Sequence, residues 1–211
     1  KLDFSSGPRG KIVLNSARIG SYDFFVCFPD PRSPPPTIIK EYEFSFKDRI
    51  SQAPDISFDL SIQDIFSAFL SGGCLFVLPK EVMIAPYKYI NEHKLTVWTS
   101  VPSVGIFMDN IGQLLPNSLP TLRLTLFCGE GLPCKLASNW SRAAENSKVV
   151  NFYGPTEATV MFTEHKWDVD TETENCFNGL VSIGKPFNHM KLRLIENGNE
   201  GHKHLCFLQM N

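Results

Sequence analysis

Short apolar segments alternate with segments of helical periodicity along most of this chain. The strand candidates are "CLFVL", "LTVWTS", "LRLTLFC" and "KVVNF". Helix candidates lie among them: "SIQDIFSAFL", "YKYINEHK", "VPSVGIFMDNIGQLL" and a segment opened by Pro133 that runs to about Ala144. Repeated strand–helix–strand units of this kind pack as a parallel sheet. The sequence therefore predicts an α/β fold with a mostly parallel sheet covered by helices.

Two segments refine this prediction. In "SIQDIFSAFL" the apolar side chains Ile62, Ile65, Phe66 and Phe69 recur at helical spacing on one face, and residues 72–73, both Gly, end the helix. In "KLRLIENGNEGHKHLCF" two short strand patterns flank a polar turn with no helix between them. This second segment predicts a short β segment at the C-terminal end.

Composition bounds the class of protein. The chain has 211 residues, 43% apolar and 20% charged, which suits one sizeable domain or a piece of a larger one. Its net charge of −2 argues against a general nucleic-acid or membrane-surface binder. The N-terminus has no signal-peptide pattern, and the longest apolar stretch is interrupted by Gln63, Asp64 and a glycine pair. We therefore expect no membrane association.

The cysteines show no pattern of a metal site or of a disulfide framework. All six are scattered, without a C-x-x-C pair or a histidine spacing suited to zinc. Most lie in apolar runs, where a free cysteine behaves as a small hydrophobic residue. This distribution favours free thiols and a cytoplasmic location.

Unusual residues follow three of the predicted elements. "FCGEG" leaves a backbone with little side chain, which a flat ligand can approach closely. "NFYGPTE" supplies an aromatic ring, a hydroxyl and a carboxylate, and "SFDLS" places Asp59 before a helix. Ligands bind at the carboxyl ends of parallel strands. Each segment also has a purely structural interpretation, a tight turn or, for Asp59, a helix N-cap.

Together these segments resemble the amino-acid adenylation domains of the adenylate-forming (AMP-binding) superfamily, of the nonribosomal peptide synthetase type or a stand-alone relative. "NFYGPTE" matches that family's N-x-Y-G-P-T-E signature at each fixed position, and "FDLS" matches its F-D-x-S element. "FCGEGLP" and "TVWTSVPSV" match the segments between them, and "SIGKPF" with "HLCF" resembles the segments that follow. The resemblance covers roughly residues 40–208.

The resemblance implies a two-step reaction. A carboxylate attacks the α-phosphate of ATP to give an acyl-adenylate, and the acyl group then passes to the phosphopantetheine thiol of a peptidyl carrier protein or domain. By the same resemblance Tyr153 stacks on adenine, Thr156 hydrogen-bonds the α-phosphate and Glu157 holds Mg²⁺. The other nucleotide-binding residues implied by the family pattern are Gly129, Glu130, Gly131, Asn151 and Gly154.

The resemblance also implies the class of substrate. In the amino-acid-activating branch the aspartate of F-D-x-S, here Asp59, pairs with the α-ammonium group. The side-chain pocket would consist of Leu60, Gln63, Thr99, Leu126, Cys128, Phe152, Val160 and Met161. Because these are mostly apolar with one amide, we expect a small or medium, largely uncharged side chain.

The N-terminal region departs from the family pattern. The nearest match to the phosphate-cradling loop is "FSSGPRGK", where Ser5, Ser6, Gly7 and Lys11 would serve, and it is shortened and contains a proline without an N–H. We expect one domain, 1–211, composed of this divergent loop with a proline-rich segment (1–37), an α/β core (38–188) and the start of the β segment (189–211). It would be a central part of the family's large N-terminal subdomain, unable to complete adenylation at a normal rate without the remaining parts.

Two other functions stay open on the sequence. One is a catalytically inactive scaffold or interaction fragment that keeps the fold, which the divergent phosphate loop favours. The other is the core of an acyl-CoA or aryl-acid ligase, which the acid at Asp59 disfavours because a carboxylate suits an ammonium group.

Overall fold

A computed structural model of the chain describes residues 13–19, 22–28, 37–154, 160–171 and 176–187. The chain divides into two compact units, residues 1–43 and residues 44–211. In the first unit, strands β1 (Val13–Ile19) and β2 (Tyr22–Phe28) pair antiparallel, with Val13 opposite Phe28. The same unit contains the short helix α1 (Thr37–Glu41). The sequence patterns had not indicated this hairpin.

The second unit is built on a seven-stranded sheet in the order β11-β8-β7-β6-β5-β3-β4. Strands β4, β3, β5, β6 and β7 run parallel to one another. Strands β8 and β11 pair antiparallel with their neighbours. The prediction of a mostly parallel, helix-covered sheet is therefore confirmed. The strands are β3 (Arg49–Gln52), β4 (Cys74–Val77), β5 (Val97–Ser100), β6 (Leu124–Phe127), β7 (Lys148–Tyr153), β8 (Thr163–Lys166) and β11 (Lys185–Pro186).

The helices lie between the parallel strands, as crossover connections require. They are α2 (Asp59–Ser71), α3 (Tyr87–Glu92), α4 (Pro102–Asn110) and α5 (Cys134–Ala143). Pro102 is at the start of α4, where its missing N–H costs no helical hydrogen bond. No helix in the described part of the chain is long and apolar enough to cross a membrane.

The main core lies where α5 packs on the sheet. All four residues of β5 and of β6 are buried, as expected for central parallel strands. Trp140 of α5 makes an edge contact with Phe127 at 5.1 Å between ring centroids and donates a hydrogen bond to the Thr125 hydroxyl at 2.9 Å. This packing holds α5 against β6.

The face of helix α2 that packs against the rest of the protein is not the apolar face predicted from the sequence. Its buried residues are Leu60, Ser61, Asp64, Ser67 and Ala68. Of the predicted apolar set, Ile62, Ile65 and Phe66 are half-buried, and Phe69 is 69% exposed. The periodicity had correctly predicted the helix, but its polar side chains face the protein.

An ion pair fastens the amino ends of three strands. Asp48, 2% exposed, accepts hydrogen bonds from Arg123 Nε and Nη2 at 2.7 Å each and from the Thr96 hydroxyl at 2.8 Å. Burial acts to raise the pKa of Asp48, but these bonds and one from the Ser45 amide outweigh it and lower the pKa. This network lies at the edge of the sheet opposite the strands' carboxyl ends.

A short hairpin, β9 (Cys176–Phe177) and β10 (Leu180–Val181), lies between β8 and β11 in the chain and is joined to α5 by a disulfide. Cys134 and Cys176, 42 residues apart, are bonded to each other. The interpretation of the cysteines as free thiols is therefore wrong for this pair, because the fold brings distant residues together. Cys74 and Cys128 are free thiols.

Three predictions concern residues outside the described ranges. They are the phosphate-loop match (Ser5, Ser6, Gly7 and Lys11), most of the proline-rich segment, and the β segment at 189–211. The proposed division of the chain at residues 37 and 188 stays a prediction.

Candidate active site

A cavity of about 420 Å³ opens at the carboxyl ends of the parallel strands. Five connections converge on it: those that follow β3, β4, β5, β6 and β7. Its lining residues are Ala53, Pro54, Asp55, Phe58, Asp59, Leu60, Met83, Ser100, Val101, Val104, Cys128, Gly129, Glu130, Gly154 and Val160. This is where parallel α/β sheets bind ligands.

Asp59 is placed by a turn that precedes α2. The Asp55 carboxylate accepts hydrogen bonds from the Ser57 amide at 2.9 Å and the Ser57 hydroxyl at 2.8 Å, and these bonds lower the pKa of Asp55. Helix α2 then begins at Asp59, and Phe58 is the N-cap residue. Asp59 is therefore the first residue of the helix and not its cap, and its half-buried carboxylate borders the cavity.

The backbone of the loop after β6 approaches the cavity closely at Gly129, which has no side chain. Gly129 has φ of +93°, and a Cβ there would lie 3.3 Å from Val101 Cγ1. The Glu130 carboxylate accepts hydrogen bonds from the Ser103 amide at 2.9 Å and the Ser103 hydroxyl at 3.2 Å. Glu130 thus binds the first turn of α4, where a helix favours negative charge. The loop is fixed to the helix opposite it.

The turn after β7 is closed by the chain that returns from it. A Cβ on Gly154 would lie 2.6 Å from the Val160 carbonyl oxygen and 2.7 Å from the Phe162 nitrogen, so only glycine fits. Val160 has φ of +73°, which is rare for a β-branched residue. Residues held in such a conformation cluster at functional sites. The strained residue here lines the cavity.

The pKa of the Cys128 thiol reflects its buried position in the cavity and the nearby acid. Burial, joined by the nearby Asp59 carboxylate, raises the pKa of the Cys128 thiol to about 11 against a hydrogen bond from the Gly129 amide. At neutral pH this thiol is protonated and is a poor nucleophile. Asp59 and Cys128 are therefore close enough to interact, although they come from different strand connections.

The structure brings many of the predicted site residues together. The cavity lining includes Asp59, Leu60, Cys128, Gly129, Glu130, Gly154 and Val160. The lining does not include Gln63, Thr99, Leu126, Gly131, Asn151, Phe152, Tyr153 or Met161. Thr156 and Glu157 lie outside the described residues. The roles assigned to all of these residues stay predictions.

Two predicted residues outside the lining have structural partners. Asn151, 3% exposed, donates from its side-chain amide to the Ser182 carbonyl at 3.0 Å, which holds the segment after β10 against β7. The Gln63 amide donates to the Ser67 hydroxyl at 2.7 Å within α2. Tyr153 is the last residue of β7 and immediately precedes Gly154, which lines the cavity.

The site residues that the sequence missed follow β3 and begin α4. Ala53, Pro54 and Asp55 line the cavity because β3 is parallel to β5 and ends at the same edge. The segment "RISQ" is too short and polar to indicate a strand. Ser100, Val101 and Val104 belong to "TVWTSVPSV", which the sequence had marked without assigning a role.

The described residues offer no cation site of their own. None of them form a group of three or more His, Cys, Asp or Glu side chains that could hold a metal ion. The predicted Mg²⁺ ligand, Glu157, lies outside those residues.

Comparison with known proteins identifies the family. The model of the AMP-binding enzyme family matches residues 36–204. The chain therefore belongs to the AMP-binding enzyme family.

Curated relatives include D-alanine–D-alanyl carrier protein ligases. Those of Bacillus cereus (strain G9842) and Bacillus licheniformis are 36% and 37% identical over 117 residues, which are 54% of this chain. The matched region is 23% of each relative's length. The chain thus corresponds to about a quarter of these ligases.

Solved structures share the fold. The adenylation domain AlmE of Vibrio cholerae, determined in complex with glycyl-adenosine-5′-phosphate, superposes with a TM-score of 0.71 at 39% identity. The match covers 77% of this chain and 30% of AlmE. IdnL7 gives a TM-score of 0.72 at 34% identity, covering 75% of this chain and 32% of IdnL7.

Proposed function

We propose that this chain forms part of a ligase that activates an amino acid with ATP and passes it to a carrier-protein thiol. One observation carries the proposal: Asp59 borders the same cavity as Gly129, Glu130 and Gly154. An acid suited to an ammonium group thus lies beside a wall in which Gly129 and Gly154 expose backbone that a flat ring can approach. An aminoacyl-adenylate carries both groups.

Asp59 would bind the α-ammonium group. Its carboxylate is half-buried and makes no hydrogen bond among the described residues that would compete with a ligand. A charge-assisted hydrogen bond of this kind contributes roughly 1.5–3 kcal/mol. The turn at Asp55 and Ser57 immediately precedes α2, whose first residue is Asp59.

The adenine ring would lie between the loop after β6 and the end of β7. The Gly129–Gly131 backbone would form one wall, and the Tyr153 ring would stack on the base for about 1–3 kcal/mol. Glu130 already holds this wall to α4 through Ser103. Nucleotide binding would therefore require little rearrangement of the loop.

The phosphates would lie beyond Gly154. Thr156 would hydrogen-bond the α-phosphate, and Ser5, Ser6, Gly7 and Lys11 would contact the outer phosphates. Mg²⁺ bound with ATP neutralises phosphate charge, and Glu157 would hold it. The carboxylate oxygen of the substrate then bonds to the α-phosphorus as the bond to pyrophosphate breaks, a step governed by positioning and charge stabilisation. A carrier thiol would next attack the acyl carbon and release AMP.

The substrate side chain would be small or medium and uncharged. Leu60 and Val160 are apolar, and Cys128 is protonated at neutral pH. The charged side chains among the described lining residues are Asp55, Asp59 and Glu130, and of these Asp55 and Glu130 are already hydrogen-bonded to Ser57 and Ser103. The curated relatives are ligases of D-alanine, and AlmE was solved with a glycyl adenylate. These two substrates are small and uncharged.

A thermal-shift measurement with ATP and Mg²⁺ tests the nucleotide part of the proposal. A ligand at 100 times its Kd stabilises the folded state by about 2.7 kcal/mol, so Tm should rise by several degrees. Tyr153→Ala and Glu157→Ala should remove the rise. Phe46→Ala is the matched control, because Phe46 is 74% exposed and lies outside the cavity lining and the hairpin.

Other outcomes select other functions. No rise in wild-type Tm would favour an inactive scaffold that keeps the fold. A rise with hydroxamate formation from plain carboxylic acids, but not from amino acids, would favour an acyl-CoA or aryl-acid ligase. That assay requires the remaining parts of the domain to be supplied with this chain.

A further inference from the structure

The disulfide ties the hairpin β9–β10 to the loop that forms one wall of the cavity. Cys134 is the first residue of α5 and follows the loop that begins at Gly129. Cys176 is the first residue of β9, and the two Cα atoms are 6.2 Å apart. The covalent bond thus joins two segments that are distant in sequence and adjacent to the predicted nucleotide site.

Backbone contacts run alongside the disulfide. The Val181 amide donates to the Leu132 carbonyl at 2.8 Å, and the Cys134 amide donates to the Gly179 carbonyl at 2.9 Å. Leu180 packs on Gly131, where an added Cβ would lie 3.2 Å from Leu180 Cδ1. The hairpin therefore supports the C-terminal part of the 129–134 loop, at Gly131, Leu132 and Cys134.

The hairpin is a weak element without the covalent bond. Each of its strands has two residues, and a two-stranded hairpin of this size is at best marginally stable in water. Most of its residues are exposed, with Phe177 exposed by 78%. Among the described residues, its other anchors are the backbone bonds to the loop, the buried Val181 side chain, and the Asn151 side-chain amide, which donates to the Val181 and Ser182 carbonyls.

We propose that a reversible disulfide between Cys134 and Cys176 regulates nucleotide binding at the cavity. In the oxidised protein the hairpin holds the 129–134 loop in the shape that receives adenine. In the reduced protein the hairpin separates more readily, the loop loses its support, and nucleotide binds more weakly. The inference rests on the proposed function, since it concerns regulation of that same site.

The oxidant is a low-molecular-weight disulfide such as glutathione disulfide. A thiolate at Cys176, the more exposed of the two residues, attacks one glutathione sulfur and releases one glutathione. The Cys134 thiolate then attacks the Cys176 sulfur of the mixed disulfide and releases the second glutathione. The protein loses two electrons and two protons, and glutathione disulfide gains them. Excess glutathione reverses both steps.

Thermodynamic linkage sharpens the prediction. If oxidation tightens ATP binding by a given factor, saturating ATP must favour oxidation by the same factor. We expect a factor of about 10, within the range typical of coupled sites. The value of [GSH]²/[GSSG] at half-oxidation should therefore rise about tenfold when ATP saturates the protein.

The test compares oxidised and reduced chain directly. The chain is equilibrated in glutathione buffers, ATP affinity is measured by calorimetry, and amide hydrogen exchange is followed at Val181 and Cys134. The Arg123 amide, bonded to the Thr96 carbonyl at 2.9 Å on the opposite edge of the sheet, is the internal reference. The double variant Cys134→Ser/Cys176→Ser should behave as the reduced form in every buffer. Cys74→Ser, an exposed free thiol on β4, should respond like the wild type.

Tighter ATP binding and slower exchange at Val181 and Cys134 in the oxidised chain would support the inference. Equal ATP affinity in the two redox forms, or equal exchange at both amides, would overturn it and leave the proposed function standing. Failure of both forms to bind ATP would contradict the proposed function and the inference with it. If the double variant does not fold, the wild-type comparison and the linkage measurement still decide.

Discussion

At the scale of single residues, Asp64 is an acid that the fold keeps away from water. It is 2% exposed on the inner face of α2, and its Oδ2 has no hydrogen-bond partner within the described part of the chain. Burial raises the pKa of Asp64 well above its usual range, and the neighbouring Thr99 side chain opposes this only in part. At a pH between its unfolded and folded pKa values, the carboxyl group therefore takes up a proton when the chain folds.

Replacing Asp64 with asparagine should change the pH dependence of stability. Because the pKa of Asp64 is higher in the folded state than in the unfolded state, Asp64 favours folding most below its unfolded pKa of about 3.9. This contribution to stability is lost as the pH rises from that value to the folded pKa. Between these two pKa values, the free energy of unfolding of Asp64→Asn should rise relative to that of the wild type by about 1.4 kcal/mol per pH unit. Urea unfolding of both proteins between pH 4 and pH 8 measures this. A stability difference that is constant with pH would contradict the assignment.

At the scale of elements, α2 shows why an apolar pattern alone does not fix which face is buried. Ile62, Ile65, Phe66 and Phe69 predict one face, yet Ser61, Asp64 and Ser67 point inward. Ser61 bonds the Phe58 carbonyl at 2.7 Å, so part of this polar face is satisfied within the helix. The inward polar face leaves Phe69 in solvent.

Two substitutions on α2 separate the faces. Phe69→Ser should change the free energy of unfolding by no more than about 0.5 kcal/mol because the ring is exposed. Ala68→Leu should destabilise by about 1–3 kcal/mol because Ala68 is fully buried and the added carbons have no space. Chemical denaturation of the two variants is the measurement. A larger loss of stability for Phe69→Ser than for Ala68→Leu would show that the apolar face predicted from the sequence is the buried one.

The ion pair between Asp48 and Arg123 acts at the same scale, since it joins β6 to the start of β3. Arg123→Ala leaves the Asp48 carboxylate buried without its cation and should cost roughly 3 kcal/mol. Lys166→Ala, which removes an exposed pair with Glu164 at 3.6 Å, is the control and should cost at most about 1 kcal/mol. The free energies of unfolding are measured by urea unfolding. Equal decreases in the two variants would show that the buried pair stabilises the protein no more than the exposed pair does.

The same pair predicts an acid response. The pKa of Asp48 is lowered in the folded state, so its stabilising contribution is present above the unfolded pKa of about 3.9 and is lost as pH falls through the lower folded value. Arg123→Ala should therefore approach wild-type stability as the pH is lowered through that window.

At the scale of the whole molecule, the parallel sheet could be predicted because β5, β6 and β7 are nearly continuous apolar runs. Strands β3 and β8 were missed because "RISQ" and "TEHK" are short and polar, and they are strands only because neighbours pair with them. Asp59, Gly129 and Gly154 were recognised through a shared motif set. The Cys134–Cys176 bond was missed because only the fold brings these residues together.

The central claim is that one cavity recognises both an ammonium group and an adenosine. Calorimetry with 5′-O-(N-glycylsulfamoyl)adenosine and its acetyl counterpart, which lacks the ammonium group, tests this most directly. The wild-type chain should prefer the glycyl compound by at least about tenfold, and Asp59→Asn should abolish the preference. Asp55→Asn should keep it, because the asparagine can still accept the bonds from Ser57. Equal affinities in the wild type, or a preference that survives Asp59→Asn, would contradict the account.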